Sequence, residues 1–222
     1  MQIIKLTMKK LIAVIAIIGC SFNSYSQIKF GPLLGFNVSK GTSDGINFET
    51  EAKVKPQIGV VTSYSLSEKL DLESGLIANF KGHNFTAIYF YDYGFISGST
   101  TVKGERNLFY LTIPIYVSYN KLMEKGKIGV LTGPEISVLA HEKSTITNGA
   151  YMPSDVTYPR LDAGWAIGIK AESYKGYGVR MQYCIGLRDT WVVDSNRQSF
   201  DFTSRNNDFK ISAYYLFGGG IQ

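Results

Sequence analysis

Two histidines, His83 and His141, are the side chains best suited to acid–base chemistry, and the chain has no others. Both are predicted near the loop ends of β-strands, on the side opposite to the apolar side chains. A hydrolytic site at this rim would need an acid and a nucleophile close to a histidine. The residues that could be recruited are Asp92, Ser97, Ser99 and Glu142. A rim enzyme acting on lipid or peptide is one hypothesis, but rim histidines without a catalytic role explain the same residues with fewer assumptions.

Acidic residues in the polar segments could bind a hard cation, but their spacing fits no known type of metal site. These residues are Asp155, Asp189, Asp194, Asp201 and Asp208. They lack the spacing of a calcium-binding loop, and Cys184 has no cluster of histidines and cysteines to complete a zinc site. We therefore predict no catalytic residue, no metal site and no cofactor.

The amino terminus has the layout of a secretory signal peptide. Three lysines precede an apolar run from Leu11 to Gly19, and small and polar residues then lead to Ser26. We predict residues 1–26 as the signal peptide and residues 27–222 as one mature domain. Cys20 leaves an alternative open, because the residues before it resemble a lipobox in which this cysteine would become a lipidated terminus.

The charge of the chain does not favour a nucleic-acid partner. The formal net charge is +5, but three of the 23 basic residues and none of the 18 acidic residues lie in residues 1–26, which leaves 20 against 18. A nucleic-acid-binding protein would show a concentrated basic face. Only Cys184 would remain after cleavage, so the mature chain has no intramolecular disulfide.

The stretch from Leu161 to Arg188 shows how the rest of the chain is organised. In residues 161–172 apolar side chains alternate with polar residues and glycines, and the alternation resumes in residues 179–188. A period of two is that of a β-strand. Each arm has about ten residues, which is the length of a tilted strand that crosses a bilayer. We predict a membrane-spanning hairpin.

Six further alternating segments bring the number of strands to eight. Their predicted bounds are 27–39, 54–66, 70–85, 107–119, 127–140 and 208–217. Short turns alternate with long polar segments between consecutive strands, as in outer-membrane barrels with short periplasmic turns and long extracellular loops. We predict an all-β fold, an eight-stranded antiparallel up-and-down transmembrane β-barrel in the outer membrane of the cell.

Aromatic and ionic residues indicate which face of the strands meets lipid. Aromatic side chains on the apolar face lie at the strand ends, as in the two interfacial belts of membrane barrels; they are Phe30, Tyr64, Tyr119, Tyr215 and Phe217 near the turns, and Phe80, Phe109, Trp191 and Phe209 near the loops. The other face carries Lys29, Asp71, Glu73, Lys81, Glu135, Asp162, Lys170, Glu172, Arg180, Arg188 and Lys210. We expect these ions to pair inside a narrow, filled lumen. A soluble, exported lipocalin-like binding protein would show the same alternation, but its apolar face would lie inside the barrel and its polar face in water. This protein class stays open as an alternative.

Five segments resemble, in the same order, the PorT-like outer-membrane β-barrel family of Gram-negative bacteria. They are residues 111–114 (LTIP), 133–137 (GPEIS), 162–168 (DAGWAIG), 183–187 and 209–217. The resemblance covers most of the mature chain and implies the barrel fold, the outer-membrane location and insertion by the barrel assembly machinery. One member of that family has a role in protein secretion.

These observations together predict a non-enzymatic integral membrane protein that acts structurally or through partners. The expected partners are outer-membrane lipid and a protein bound at the extracellular loops, predicted at residues 40–53, 86–104, 142–158 and 190–207. A pore is a weaker hypothesis, because a barrel of eight strands is filled by its own side chains.

Overall fold

The computed structural model describes residues 28–43, 48–92, 97–148, 156–157, 159–188, 191–193 and 203–218. The predicted signal peptide, with Cys20, lies outside these residues, so its cleavage or lipidation stays a prediction. Among the described residues, no helix has the length and apolar character needed to span a membrane.

The described chain forms ten β-strands. They are β1 (Ile28–Ser43), β2 (Phe48–Ser65), β3 (Leu70–Asp92), β4 (Ser97–Met123), β5 (Gly126–Asn148), β6 (Val156–Thr157), β7 (Leu161–Ser173), β8 (Tyr177–Gly186), β9 (Trp191–Val193) and β10 (Thr203–Tyr215). Strands β6 and β9 are short and pair with each other, and β9 also pairs with the start of β10. The other eight strands are long.

The eight long strands form a closed ring. Each is antiparallel to the next long strand along the chain, and β10 pairs back with β1 from Leu33↔Tyr214 to Ser43↔Ser204. Closure leaves no long unpaired edge in the membrane-spanning part of the sheet. The predicted eight-stranded antiparallel up-and-down barrel is confirmed.

The strand register fixes the stagger of the ring. Following the paired residues from strand to strand around the ring, starting at Val38 of β1, leads back to β1 at Ile28, ten residues earlier in the chain. The residues between them on this path are Phe209, Tyr183, Ile167, Thr132, Val117, Leu72 and Tyr64. With a rise of about 3.3 Å per residue and a strand spacing of about 4.8 Å, this stagger gives a tilt of roughly 40° and an advance of about 2.5 Å per residue along the barrel axis.

Several strands extend further on the loop side than the alternation predicts. Strands β3 and β4 pair as far as Asp92↔Ser97, and β5 continues to Asn148. Much of the predicted loop 86–104 and the first part of the predicted loop 142–158 are therefore β-strand. The missed segments are rich in Thr, Tyr, Phe and Ile, which favour β-structure, but beyond the bilayer no lipid imposes an apolar period of two.

The two faces of the barrel have the predicted orientation. Along β8, exposed and buried positions alternate without exception. The exposed positions are apolar, such as Val179, Met181 and Ile185, whereas Arg180 and Gln182 between them are buried. An apolar outside and a polar inside are the reverse of a soluble lipocalin-like barrel, so the apolar face of this chain is the one that meets lipid.

Aromatic side chains form clusters near both ends of the apolar surface. Near the turns, the ring centroids of Tyr215 and Phe217 lie 4.8 Å apart, and Phe30 lies 5.9 Å from Phe217. Near the loops, Phe80 and Phe109 stack at 4.9 Å. Such belts mark the two water interfaces of a membrane barrel. The side chain of Trp191, predicted in the loop-side belt, lies outside the described set.

Candidate functional site

The lumen is the main candidate site, because the inward positions of each of the eight long strands include polar or ionic side chains. Six carboxylates are buried there: Asp71, Glu73, Glu135, Asp162, Glu172 and Asp208. The cations that face them are Lys29, Lys81, Lys127, Lys170, Arg180 and Lys210. Ten of these twelve were predicted on this face, whereas Lys127 was missed and Asp208 was predicted as a loop acid that could bind a metal. Arg188, also predicted on this face, is exposed beyond the end of β8.

Near the periplasmic turns, Lys170 is the centre of an ionic network. Its Nζ contacts Glu73 Oε1 and lies 3.1 Å from Asp71 Oδ2 and 4.0 Å from Glu172 Oε2. Lys127 Nζ lies 2.5 Å from the same Asp71 oxygen and 3.5 Å from Glu172 Oε1. Two lysines thus face three carboxylates, and two further cations approach the same group: Lys29 Nζ lies 3.7 Å from Glu172 Oε1, and Arg180 Nη1 lies 3.8 Å from Glu73 Oε2.

Neutral donors complete the coordination of these carboxylates. Ser118 Oγ donates to Glu73 at 3.0 Å, and Asn120 Nδ2 donates to Asp71 at 2.9 Å. Tyr214 OH donates to Glu172 at 3.3 Å. Buried charge is tolerated only when it is both paired and hydrogen-bonded, and this network meets both conditions.

A second network lies nearer the loops. Lys81 Nζ is 2.5 Å from Asp208 Oδ2 and 3.9 Å from Asp162 Oδ2. Lys210 Nζ is 2.5 Å from Glu135 Oε2, and Tyr116 OH donates to the other oxygen of Glu135. The two networks together fill most of the height of the lumen with ion pairs.

A short chain of neutral hydrogen bonds joins β3, β4 and β5. Asn79 Nδ2 donates to Thr112 Oγ1 at 2.8 Å, and Thr112 Oγ1 lies 2.8 Å from Ser137 Oγ. Thr112, Ser137, Glu135 and Asp162 all belong to segments that carry the PorT-like resemblance. These segments therefore supply the interior of the barrel.

Glycines on the inward face make room for large lumen side chains. A Cβ atom at Gly178 would overlap the ring of Tyr214, and one at Gly164 would lie 2.6 Å from Cys184 Sγ. Gly133 combines such a close approach, to a carbonyl of β4, with a φ of 155°. Glycine at these positions is a packing requirement of the filled lumen.

Large aromatic side chains are buried in the lumen beside its cations. Tyr110 and Tyr116 are the two largest fully buried side chains, at 0 % and 1 % exposure. Lys81 lies 5.2 Å from the ring centroid of Tyr110, and Arg180 lies 5.7 Å from that of Tyr116. Cations stacked on aromatic rings add to the packing of this layer. This packing is that of a barrel filled by its own side chains.

The two histidines do not form one site. His83 is 1 % exposed on the inward face, as predicted, and no hydrogen-bond partner within the described residues reaches its Nε2. His141 pairs with Phe109, whereas the next pair is Tyr110↔Leu139, so Ala140 is an extra residue in β5. This β-bulge reverses the alternation and places His141 on the exposed outer face, so its predicted lumen position was wrong.

The other proposed members of a rim active site are also dispersed. Glu142 accepts a hydrogen bond from Arg106 Nε at 3.1 Å, and Ser99 is exposed in the β3–β4 hairpin. Asp92 pairs with Ser97 at the tip of that hairpin. The side chains of Asp92 and Ser97 lie outside the described set, and among the described side chains the partners of Glu142 are Arg106 and Ser144 and not a histidine.

Only one of the acidic residues considered as metal ligands belongs to the described part of the chain. Asp155, Asp189, Asp194 and Asp201 lie outside the described residues, and Asp208 is a lumen residue paired with Lys81. Within the described residues, no group of three or more metal-binding side chains comes together. Cys184 is buried, with its Sγ 3.5 Å from Glu135 Oε2.

A comparison with known protein families agrees with this geometry. Residues 21–192 match the family described as the outer membrane protein beta-barrel domain. The chain belongs to this family. Membership places the protein in the outer membrane of the cell, where the apolar outside and ionic inside of its barrel are expected.

Solved outer-membrane barrels resemble the chain at low sequence identity. OprG from Pseudomonas aeruginosa is 13% identical over 85% of this chain and 95% of its own, with a TM-score of 0.48. Ail from Yersinia pestis is 10% identical over 86% and 99%, with a TM-score of 0.38. The outer membrane enzyme PagL is 10% identical over 82% and 98%, with a TM-score of 0.36. No curated protein matches the chain.

Beyond the loop-side belt, an ionic cluster links β2 to β4. Lys53 Nζ lies 2.6 Å from Glu105 Oε1, and Lys55 Nζ lies 2.7 Å from Asn107 Oδ1. The hydrogen bond from Lys53 and a second one from Asn107 hold the pKa of Glu105 below its ordinary value. Polar contacts between side chains therefore link the strands in the part of the sheet beyond the loop-side belt, where no apolar side chains face lipid.

Proposed function

We propose that this member of the family is a closed, non-enzymatic barrel that acts structurally or through a partner bound at its extracellular edge. The observation that supports the proposal is the lumen, whose interior holds buried ion pairs and the buried rings of Tyr110 and Tyr116. A barrel filled in this way would meet its partners at its outer surfaces.

The extracellular edge offers a partner more than flexible loops. Strands β3 and β4 continue as a paired hairpin to Asp92 and Ser97, and β5 stays paired with β4 as far as Asn148↔Lys103. A preformed sheet loses little conformational entropy when it binds. We therefore assign the partner surface to the predicted loops 86–104 and 142–158 first, with 40–53 and 190–207 beside them.

The PorT-like resemblance supports the barrel type. Its segments contribute lumen residues such as Thr112, Glu135 and Asp162, which are required by any barrel filled in this way. The proposal therefore includes a PorT-like barrel, and a secretion role would have to come from the extracellular or periplasmic surface.

Conductance in a planar bilayer tests the closed lumen. The unmodified protein is expected to give no steady current steps, whereas a Tyr110→Ala/Tyr116→Ala variant should admit water and ions. The variant must first show heat-dependent gel mobility, which reports a folded barrel. Steady steps from the unmodified protein would contradict the proposal.

Site-specific photo-crosslinking in cells tests the partner surface. A photoreactive residue at exposed Ser99 in the β3–β4 hairpin should give a discrete adduct, and the same residue at exposed Lys125 in a periplasmic turn is the matched control. Identical adducts from both positions, or none from Ser99, would count against an extracellular partner.

A further inference from the structure

A groove lies on the outer surface of the barrel near the periplasmic turns. Its volume is about 590 Å³, and its lining comes from the turn-side ends of β4, β5, β7, β8 and β10, which are neighbours in the ring. The outward side chains that line it are Met123, Ile128, Ala171, Tyr177, Val179 and Ala213. The groove is therefore part of the apolar surface and not of the lumen.

Small side chains in one outward row of the sheet explain the groove. This row crosses β5, β7, β8 and β10 through consecutive pairs and consists of Ile128, Ala171, Val179 and Ala213. The next outward row toward the middle of the membrane has only large, exposed side chains, those of Val130, Ile169, Met181 and Ile211. The two alanines therefore leave a depression between Ile128 and Val179.

The groove is open toward the turns. On that side Gly126 pairs with Ser173, and neither has a large side chain. The ring centroids of Tyr177 and Tyr215 lie 4.8 Å apart and form one wall. Tyr215 belongs to the turn-side aromatic belt, so the open end lies at the membrane interface.

Three exposed lysines border this open end. Lys121 pairs with Ile128, so the two side chains lie on the same outer face. Lys125 lines the groove from the β4–β5 turn. Lys175 lies in the adjacent β7–β8 turn, which is held close because Tyr174 N donates to the backbone oxygen of Lys125 at 3.3 Å. We call Lys121, Lys125 and Lys175 the turn lysines.

The positive charge of the turn lysines is only partly compensated. Among the described residues, no carboxylate lies within salt-bridge distance of them. Glu124 is exposed in the β4–β5 turn and reduces the local charge by one. Glu172 also lines the groove, but its carboxylate faces the lumen, where Lys127 and Lys170 approach it. A patch with two net positive charges thus lies on the water side of an apolar groove.

The position of the groove determines which kind of ligand fits it. A ligand must reach it from the periplasmic leaflet of the membrane, because the groove is part of the lipid-facing surface. A second copy of the chain, docked by a two-fold axis, would use the same patch on both subunits and bring two sets of turn lysines together. A phospholipid with an anionic headgroup has an acyl chain and a phosphate in the order in which the groove and the lysines lie.

We propose that the groove binds an acyl chain of an anionic glycerophospholipid while the turn lysines bind its phosphate. The lysines supply the preference for an anionic headgroup. The groove supplies closer packing than the rest of the apolar surface, since transfer from lipid to an equally apolar surface has no hydrophobic driving force. This inference goes beyond the proposed function and holds whether or not a protein binds at the loops.

Native mass spectrometry of the purified full chain in neutral detergent tests the inference, because it resolves the first bound lipid. The probes are dioleoyl phosphatidylglycerol and dioleoyl phosphatidylcholine, which have the same acyl chains and differ in headgroup charge. At about five-fold in affinity per net positive charge, phosphatidylglycerol should be preferred roughly 25-fold. Lys121→Gln/Lys125→Gln/Lys175→Gln should weaken its first binding constant roughly 100-fold.

Two matched controls separate the site from general effects. Lys40→Gln/Lys103→Gln/Lys143→Gln removes three exposed lysines at the loop side and should leave the binding constant unchanged. Ala171→Phe fills the groove and should weaken phosphatidylglycerol binding several-fold, whereas Ala78→Phe makes the same change at a half-buried outward alanine of β3 and should not. Equal effects within either pair of variants would overturn the inference.

Two further outcomes would also overturn it. Equal first binding constants for the two lipids would show that the headgroup is not recognised. A dimer that Ala171→Phe removes would show that the groove is an interface between copies of the chain. If the triple lysine variant does not fold, Lys125→Gln alone should still weaken phosphatidylglycerol binding about five-fold. Heat-dependent gel mobility distinguishes loss of folding from loss of the site.

Discussion

Replacing Ile167 with arginine tests the orientation of the barrel most directly. Ile167 is 59% exposed on the outer face of β7. It lies six positions after Leu161, the first residue of β7, and six before Ser173, the last. At an advance of about 2.5 Å per residue, it lies roughly 15 Å below the loop-side edge, near the middle of an apolar band about 25 Å tall.

The expected cost follows from this depth. An arginine facing lipid near the midplane destabilises a membrane barrel by about 2–4 kcal/mol, whereas one near the interface costs about 0–1 kcal/mol. Leu161→Arg is the matched control, because it makes the same kind of change on the same strand and the same face. The difference between the two variants should therefore be about 2–3 kcal/mol.

Equilibrium unfolding by urea in lipid vesicles measures both free energies. Refolding from urea must give the same curve, so that the transition is reversible and a free energy is defined. Equal costs for the two variants would refute the depth assignment. A near-zero cost for Ile167→Arg would refute the lipid-facing orientation as a whole.

Three further predictions concern the lumen and the extracellular sheet. Glu135→Gln leaves the buried Lys210 without its anion and should lower the free energy of unfolding by about 3–5 kcal/mol in the same urea experiment. A loss no larger than that for a solvent-exposed ion pair would contradict the buried network. Gly178→Ala should destabilise the barrel by about 1–3 kcal/mol through overpacking against the ring of Tyr214. In a Tyr214→Leu background the same change should cost much less, and an equal cost there would show that the ring is not the obstacle. Because Lys53 donates to Glu105 and lowers its pKa, the stability that this carboxyl contributes is present above its unfolded-state pKa and is lost as the pH falls through the folded-state value. NMR titration of its carboxyl carbon should show the low pKa, and Lys53→Gln should raise it; an unchanged titration would show that the lysine is not the cause.

The membrane-spanning part of the fold could be predicted because the bilayer constrains it. Lipid requires an apolar side chain at every outward position, and the alternation of residues 179–188 therefore gave the faces of β8 correctly. The same pattern predicted that Lys81, Lys170 and Arg180 point inward, since an ionic side chain at an outward position would meet hydrocarbon.

The extracellular part could not be predicted in the same way. Both faces of β3 and β4 beyond the bilayer meet water or other residues of the protein, so the apolar period that marks a membrane strand disappears there. The orientation of His141 depends on one extra residue, Ala140, in the pairing of β5 with β4. A bulge of this kind changes the face of every later residue without changing the local composition.

The lumen pairs explain how the sequence specifies one register. Lys170 joins β7 to β3, Lys81 joins β3 to β10, and Lys210 joins β10 to β5. None of these strand pairs are neighbours in the sheet, so each contact crosses the lumen. A slip of one residue would turn these lysines toward lipid, at a cost of about 2–4 kcal/mol each near the midplane. The ion pairs thus add little to net stability when compared with apolar packing, but they separate the correct closure of the barrel from its nearest alternatives.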